Sequence, residues 1–195
     1  MKKLILTCLL VLAAAAGMAQ ETAVIDGVKY LLDGGKASVM QQSGLTGDIV
    51  IPETVRHGNT DYTVTTVQSN AFKDNEITSI SLPNTISVMG DACFESCSRL
   101  ESVTLPAGLT SLGNSCFYDC RNLASVTLPE GITTLGVNCF YRCTSLTPVT
   151  LPEGIEELGY QCFYGCTSLE SVVLPGSLRT IGNNCFYDCS ALKSV

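Results

Sequence analysis

The chain has 195 residues, a formal charge of −7 and 46% hydrophobic content, enough for one elongated domain and too short for two ordinary ones. Its acidic balance and lack of any lysine or arginine cluster argue against a phosphate-backbone partner, so nucleic acid is not an expected ligand. No charge run or low-complexity linker interrupts it, and the one shift in composition falls near Asn70.

Residues 1–19 read as a signal peptide. Met1-Lys2-Lys3 is a basic start, residues 4–16 are apolar, and Gly17-Met18-Ala19 places small residues at both cleavage positions, with the cut before Gln20. The apolar run is shorter than the roughly 20 residues that span a bilayer. Cys8 lies inside that run, too early to be a lipidated cysteine. The mature chain is therefore expected to be exported, extracellular or at the cell surface, without a transmembrane segment.

Residues 20–70 read as a β-rich N-terminal cap. Asp26-Gly27, between residues 23–25 and 28–32, is a hairpin signal, and a second reversal falls at residues 57–60. Repeat arrays need an atypical first unit to cover the exposed end of their core.

Residues 71–195 are periodic. The phrase CFxxC begins at Cys93, Cys116, Cys139, Cys162 and Cys185, always 23 residues apart. A strict period of this length marks coils of a solenoid, because one such unit cannot bury its own apolar face. In the coil that starts at Cys116, Val126 and Leu128 alternate with Ser125 and Thr127, which predicts a short strand with two side chains inward and two outward. Stacked strands would form a parallel sheet about 4.8 Å apart. Leu-Pro ends the strand, since proline cannot donate to the ladder.

A short extended piece with Ile132 and Leu135 follows, and then a glycine that recurs as Gly90, Gly113, Gly136, Gly159 and Gly182. A corner with positive φ would require that glycine. The C-F-Y-D-C stretch is expected to close the coil as one helical or 3₁₀ turn. A degenerate coil occupies residues 71–92, and the sequence stops eleven residues into the sixth. Ending inside a strand leaves an open sheet edge, so the chain is expected to be a fragment or to need a partner there. The fold class is a β-rich, right-handed leucine-rich-repeat coil stack with an N-terminal β cap.

The LPEGI run (128–132), the Leu135-Gly136 corner, the phenylalanine after it and the Cys120–Leu123 pair resemble the BspA-type leucine-rich repeat family. The stretches GDIVIPETV (47–55) and YTVTTVQSNAF (62–72) look like the family's opening segment. The resemblance implies an exported bacterial surface protein that adheres to host matrix proteins or other bacteria. One departure is that five coils carry cysteine where the family, like Ala71 here, usually has alanine.

Catalytic chemistry finds little support. His57 is the single histidine and lies in the cap, whereas the cysteines run along the stack, so a base-assisted thiol is not indicated. Acidic residues form no recurring pair, and the glycines are explained by corners. The chain is read as non-catalytic, with no catalytic residue, metal ligand or cofactor assigned. The ten repeat cysteines leave three readings open. They are a buried thiol ladder, disulfides within or between coils, or a metal site from two coils, which would place charged thiolates in an apolar core.

Tyr118, Tyr141, Tyr164 and Tyr187 share one coil position, about 200° from the first cysteine on a helical turn, and so form a row pointing outward. This row is the candidate site for a protein or carbohydrate ligand, unless its rings merely pack against neighbouring coils. A second stripe, Ser102, Thr104, Ser125, Thr127, Thr150 and Ser171, faces outward from the sheet. The expected function is adhesion-type binding; the alternative is a structural spacer within a larger surface protein.

Overall fold

The structure is a computed structural model that describes residues 20–194, so the signal peptide read over residues 1–19 lies outside the described residues. Six strands come first: β1 (Glu21–Ile25), β2 (Val28–Asp33), β3 (Lys36–Val39), β4 (Thr46–Val50), β5 (Thr54–His57) and β6 (Thr60–Val67). Ten strands follow, all but the first of two or three residues: β7 (Glu76–Ser81), β8 (Val88–Met89), β9 (Ser102–Thr104), β10 (Ser111–Leu112), β11 (Ser125–Val126), β12 (Thr134–Leu135), β13 (Pro148–Thr150), β14 (Glu157–Leu158), β15 (Ser171–Val173) and β16 (Thr180–Ile181). Together they make a β-solenoid with no helix among the described residues.

The expected strand in each coil is present. β4, β7, β9 and β11 pair in parallel, Ser125 beside Ser102 and Val126 beside Val103, and β13 pairs with β15 in the same manner. Val126 and Leu128 are buried while Ser125 and Thr127 are exposed, as the alternation requires. No pairing joins β11 to β13, where Pro148 takes the place held by Ser102, Ser125 and Ser171 and brings no N–H.

The piece between the proline and glycine corners forms a ladder of its own. β10, β12, β14 and β16 pair in parallel, which aligns Leu112, Leu135, Leu158 and Ile181. Each complete coil therefore has two strands rather than one. Between these sheets and the turns, Phe72, Phe94, Phe117, Phe140, Phe163 and Phe186 stack with ring centroids 5.2–5.5 Å apart and planes within 8° of parallel.

Two local expectations need correction. The recurrent glycines do not have positive φ. They are required because the coils touch there: a Cβ on Gly159 would lie 2.5 Å from the carbonyl carbon of Gly136. The positive φ values lie instead on either side of the first cysteine, at Ser115 (54°) and Asp119 (58°), Asn138 (56°) and Arg142 (56°), Asn184 (57°) and Asp188 (58°). Two left-handed residues four apart cannot belong to one helical turn. The segment closes instead as consecutive tight turns, Tyr118 N–H donating to Ser115 O (3.1 Å) and Cys120 N–H to Phe117 O (3.2 Å).

In the cap, the hairpin at Asp26-Gly27 forms with φ of 49° and 80°, and His57 pairs with Thr60 across the second reversal. A third reversal at Gly34-Gly35 turns β2 into β3. The sheet runs β1-β2-β3-β6-β5, and His57 on β5 meets Glu21 on β1 at 3.2 Å, drawing its two edges together. The parallel ladders reach back across Asn70: β4 pairs with β7, and the end of β6 pairs with β8.

Candidate functional site: the tyrosine ladder

Each tyrosine follows a phenylalanine of the core stack, buried in all but the last coil where Phe186 is half-buried, and precedes a left-handed residue, so the turn sends the phenylalanine ring inward and the tyrosine ring out. Tyr118, Tyr141 and Tyr164 are half-buried, and Tyr187 is 60% exposed. Their rings stack face to face, with centroids 4.7 Å apart for Tyr118–Tyr141, 4.8 Å for Tyr141–Tyr164 and 5.1 Å for Tyr164–Tyr187. The row is thus both outward-facing and packed coil on coil. Stacked faces cover one another, which leaves the ring edges and hydroxyls to solvent. Burial and the neighbouring Tyr141 and Tyr187 push the Tyr164 phenol above its ordinary pKa.

Charged groups border the ladder. In the two preceding coils the tyrosine position holds Lys73 and Glu95, paired at 3.0 Å. The Arg142 guanidinium lies 5.6 Å from the Tyr141 ring centroid, within cation–π range. Arg121 donates two hydrogen bonds to the Asp119 carboxylate, at 3.0 and 3.1 Å. Gly165 replaces the side chain that Asp119, Arg142 and Asp188 supply in the other coils, opening a shallow hollow lined by Arg142, Thr144, Thr167 and Asp188.

The serine–threonine stripe lies on the opposite strand face and is exposed throughout. A groove of about 510 Å³ runs there, lined by Thr104, Ala107, Thr127, Pro129 and Glu130. A second, of about 250 Å³, lies beside the interrupted pairing at Pro148.

The ten repeat cysteines, Cys93 to Cys189, are buried free thiols. Burial raises the thiol of Cys97 to about 12 and that of Cys189 to about 11, and holds Cys120 and Cys143 well above the ordinary value. Such thiols stay protonated and are poor nucleophiles.

The side chain that sequence reading passed over is Asn75. It stands in the degenerate coil where later coils place the second cysteine, and it is the buried polar residue of the core. Its carboxamide oxygen accepts from Leu45 N–H (2.8 Å), and its Nδ2 donates to Gln42 O (3.0 Å) and Lys73 O (3.1 Å). Asn75 therefore fastens the 42–45 segment to the first repeat. The alignment of coils already marked the position by its break from cysteine.

No curated protein matches the chain at a significant level. Among solved structures it is similar to a leucine-rich cell surface protein from Faecalibacterium prausnitzii, at 25% identity and a TM-score of 0.77 over 92% of this chain and 56% of that one. The T. pallidum leucine-rich repeat protein is similar at 23% identity and a TM-score of 0.70, over 89% and 88% of the two chains. A leucine-rich repeat protein from Eubacterium ventriosum matches at 22% identity and a TM-score of 0.68, over 87% and 50%. The chain thus spans about half the length of the first and third of these proteins. The model of the BspA type leucine-rich repeat region matches residues 65–193 in six copies, so the chain belongs to that family.

Proposed function

We propose that this chain is an exported, non-catalytic repeat protein of the cell surface whose tyrosine ladder captures a protein or glycan ligand. The observation that carries the reading is the continuous stack of Tyr118, Tyr141, Tyr164 and Tyr187 on the outer side of the turns. A row of phenol edges at near-constant spacing suits a partner with repeating hydrogen-bonding groups, such as an extended peptide or a sugar chain. The stack is pre-ordered, so the rings give up little conformational freedom on binding. A non-catalytic role is supported by the protonated, buried thiols and by His57, which is spent on Glu21 in the cap. The leader-like residues 1–19 support export.

The test is binding of the mature chain to a glycan array and to immobilised matrix proteins, with a Tyr118→Ser, Tyr141→Ser, Tyr164→Ser variant alongside. Capture by the parent and loss in a folded variant is expected. A folded parent that captures nothing from either panel would favour the spacer role.

A further inference from the structure

The residue after the tyrosine position is Ser96, Asp119, Arg142, Gly165 and Asp188 in successive coils, so one coil lacks a side chain there. Left-handed backbone does not account for the glycine. Ser96, Asp119, Arg142 and Asp188 hold φ of 56–61° at the same place, against 69° at Gly165. What glycine supplies is room. A Cβ on Gly165 would lie 3.3 Å from Arg142 Cγ, and a longer side chain would fill the space beside Arg142. Gly165 is instead the buried floor of a hollow of about 280 Å³.

The charges at the two ends of this hollow are unpaired. Arg56, Arg99, Arg121 and Arg179 each meet a carboxylate, whereas Arg142 and Asp188 form no ion pair among the described residues. The reason is local. Asp119 is neutralised by Arg121 two residues on, and the corresponding neighbours of Arg142 and Asp188 are Thr144 and Ser190. Thr144 and Thr167 line the side of the hollow. Their Oγ1 hydroxyls donate to Arg121 O (3.2 Å) and Thr144 O (3.4 Å), which leaves their lone pairs free to accept. The hollow thus offers a guanidinium fork at one end and three oxygen acceptors along the rest. The Arg142 guanidinium also lies 5.6 Å from the Tyr141 ring centroid, so the hollow opens beside the tyrosine ladder.

We propose that the Gly165 hollow is a subsite for one uronate residue of an acidic glycan, a subsite that rests on the tyrosine ladder as the capture surface. The uronate carboxylate takes Arg142, and its ring hydroxyls donate to Asp188, Thr144 and Thr167. A neutral sugar leaves Arg142 unanswered, and a simple anion without hydroxyls meets the Asp188 carboxylate with nothing to donate. Pockets that enclose a whole drug-sized ligand hold about 300–1,000 Å³, so this smaller hollow suits one residue of a chain whose neighbours lie along the ring edges.

The test is calorimetric titration of the mature chain with oligomers of galacturonate and of glucuronate, each as the free acid and as the methyl ester. The free acid of at least one should bind at least tenfold more tightly than its ester. Arg142→Gln should abolish that preference. Gly165→Ser, which installs the residue that Ser96 carries at the same φ, should weaken binding of the acid at least tenfold in a folded protein. Acid and ester bound alike, or acid binding unchanged in both variants, would overturn the subsite and leave the ladder reading in place. A parent that binds none of the four oligomers also overturns the subsite, and the ladder reading then stands or falls on peptide and neutral-glycan capture.

Discussion

Gly136 packs directly on Gly113, so that a Cβ on Gly136 would lie 2.8 Å from the Gly113 carbonyl carbon and 2.8 Å from Asn114 N. The contact is backbone on backbone and has no flexible side chain that could yield. Gly136→Ala should therefore force the coils apart and lower stability by about 1–3 kcal/mol, read as a lower urea midpoint. Gly108→Ala is the control. A Cβ there meets nothing within 4 Å and φ is not positive, so a change within about 0.5 kcal/mol is expected.

Asn75→Ala should loosen the junction between the cap and the repeats. Loss of the carboxamide strands Leu45 N–H and Gln42 O, and a cost of about 2–4 kcal/mol follows from leaving such groups unpaired. Asn75→Cys, which restores the residue of the later coils, should fail as well, because one weakly bonding sulfur cannot replace the separate oxygen and nitrogen that reach Leu45 N–H and Gln42 O. A stability within error of the parent for either variant would contradict the assigned role.

The buried thiols make stability depend on pH in the alkaline range. Their folded pKa values are raised, Cys189 to about 11 and Cys97 to about 12 from an ordinary value of 9.0. The unfolded chain loses protons first as pH rises past that value, so it is the unfolded state that gains. Stability should be flat in this respect below pH 9 and fall steadily between 9 and 12. Urea midpoints measured from pH 7 to 11 check this, and a Cys97→Ala, Cys189→Ala variant should show a shallower decline.

Val126→Asp tests the inward register of the strands. Val126 is 6% exposed, and an unpaired carboxylate at that depth should cost several kcal/mol. Thr127→Asp, one residue on and exposed, should leave the melting temperature nearly unchanged. Equal effects from the two would mean that the faces are misassigned.

Much of this architecture was legible because identical positions recur. Five copies of CFxxC fixed the period, and the alternation of Val126 and Leu128 with Ser125 and Thr127 fixed which side chains enter the core. The second ladder was not legible, since two residues such as Thr134 and Leu135 are too few for any alternation to appear. Glycine was correctly marked as obligatory at the corner for the wrong physical reason. A close approach between coils and a left-handed φ both demand glycine, and a single chain cannot separate them before the coils are stacked. Tyrosine recurrence gave the outward row and left open whether its rings pack against neighbouring coils; the structure shows that they do, ring on ring.

The most direct measurement compares two triple variants for ligand capture, each checked for a parent-like circular dichroism spectrum and unfolding midpoint. One carries Tyr118→Ser, Tyr141→Ser and Tyr164→Ser; the other carries Ser102→Asp, Ser125→Asp and Ser171→Asp on the exposed strand face. The tyrosine variant should fold and lose capture, while the strand-face variant folds and retains it. A tyrosine variant that unfolds would make the rings structural packing, and one that folds and still binds, with capture lost in the serine variant, would place the site in the grooves of the strand face.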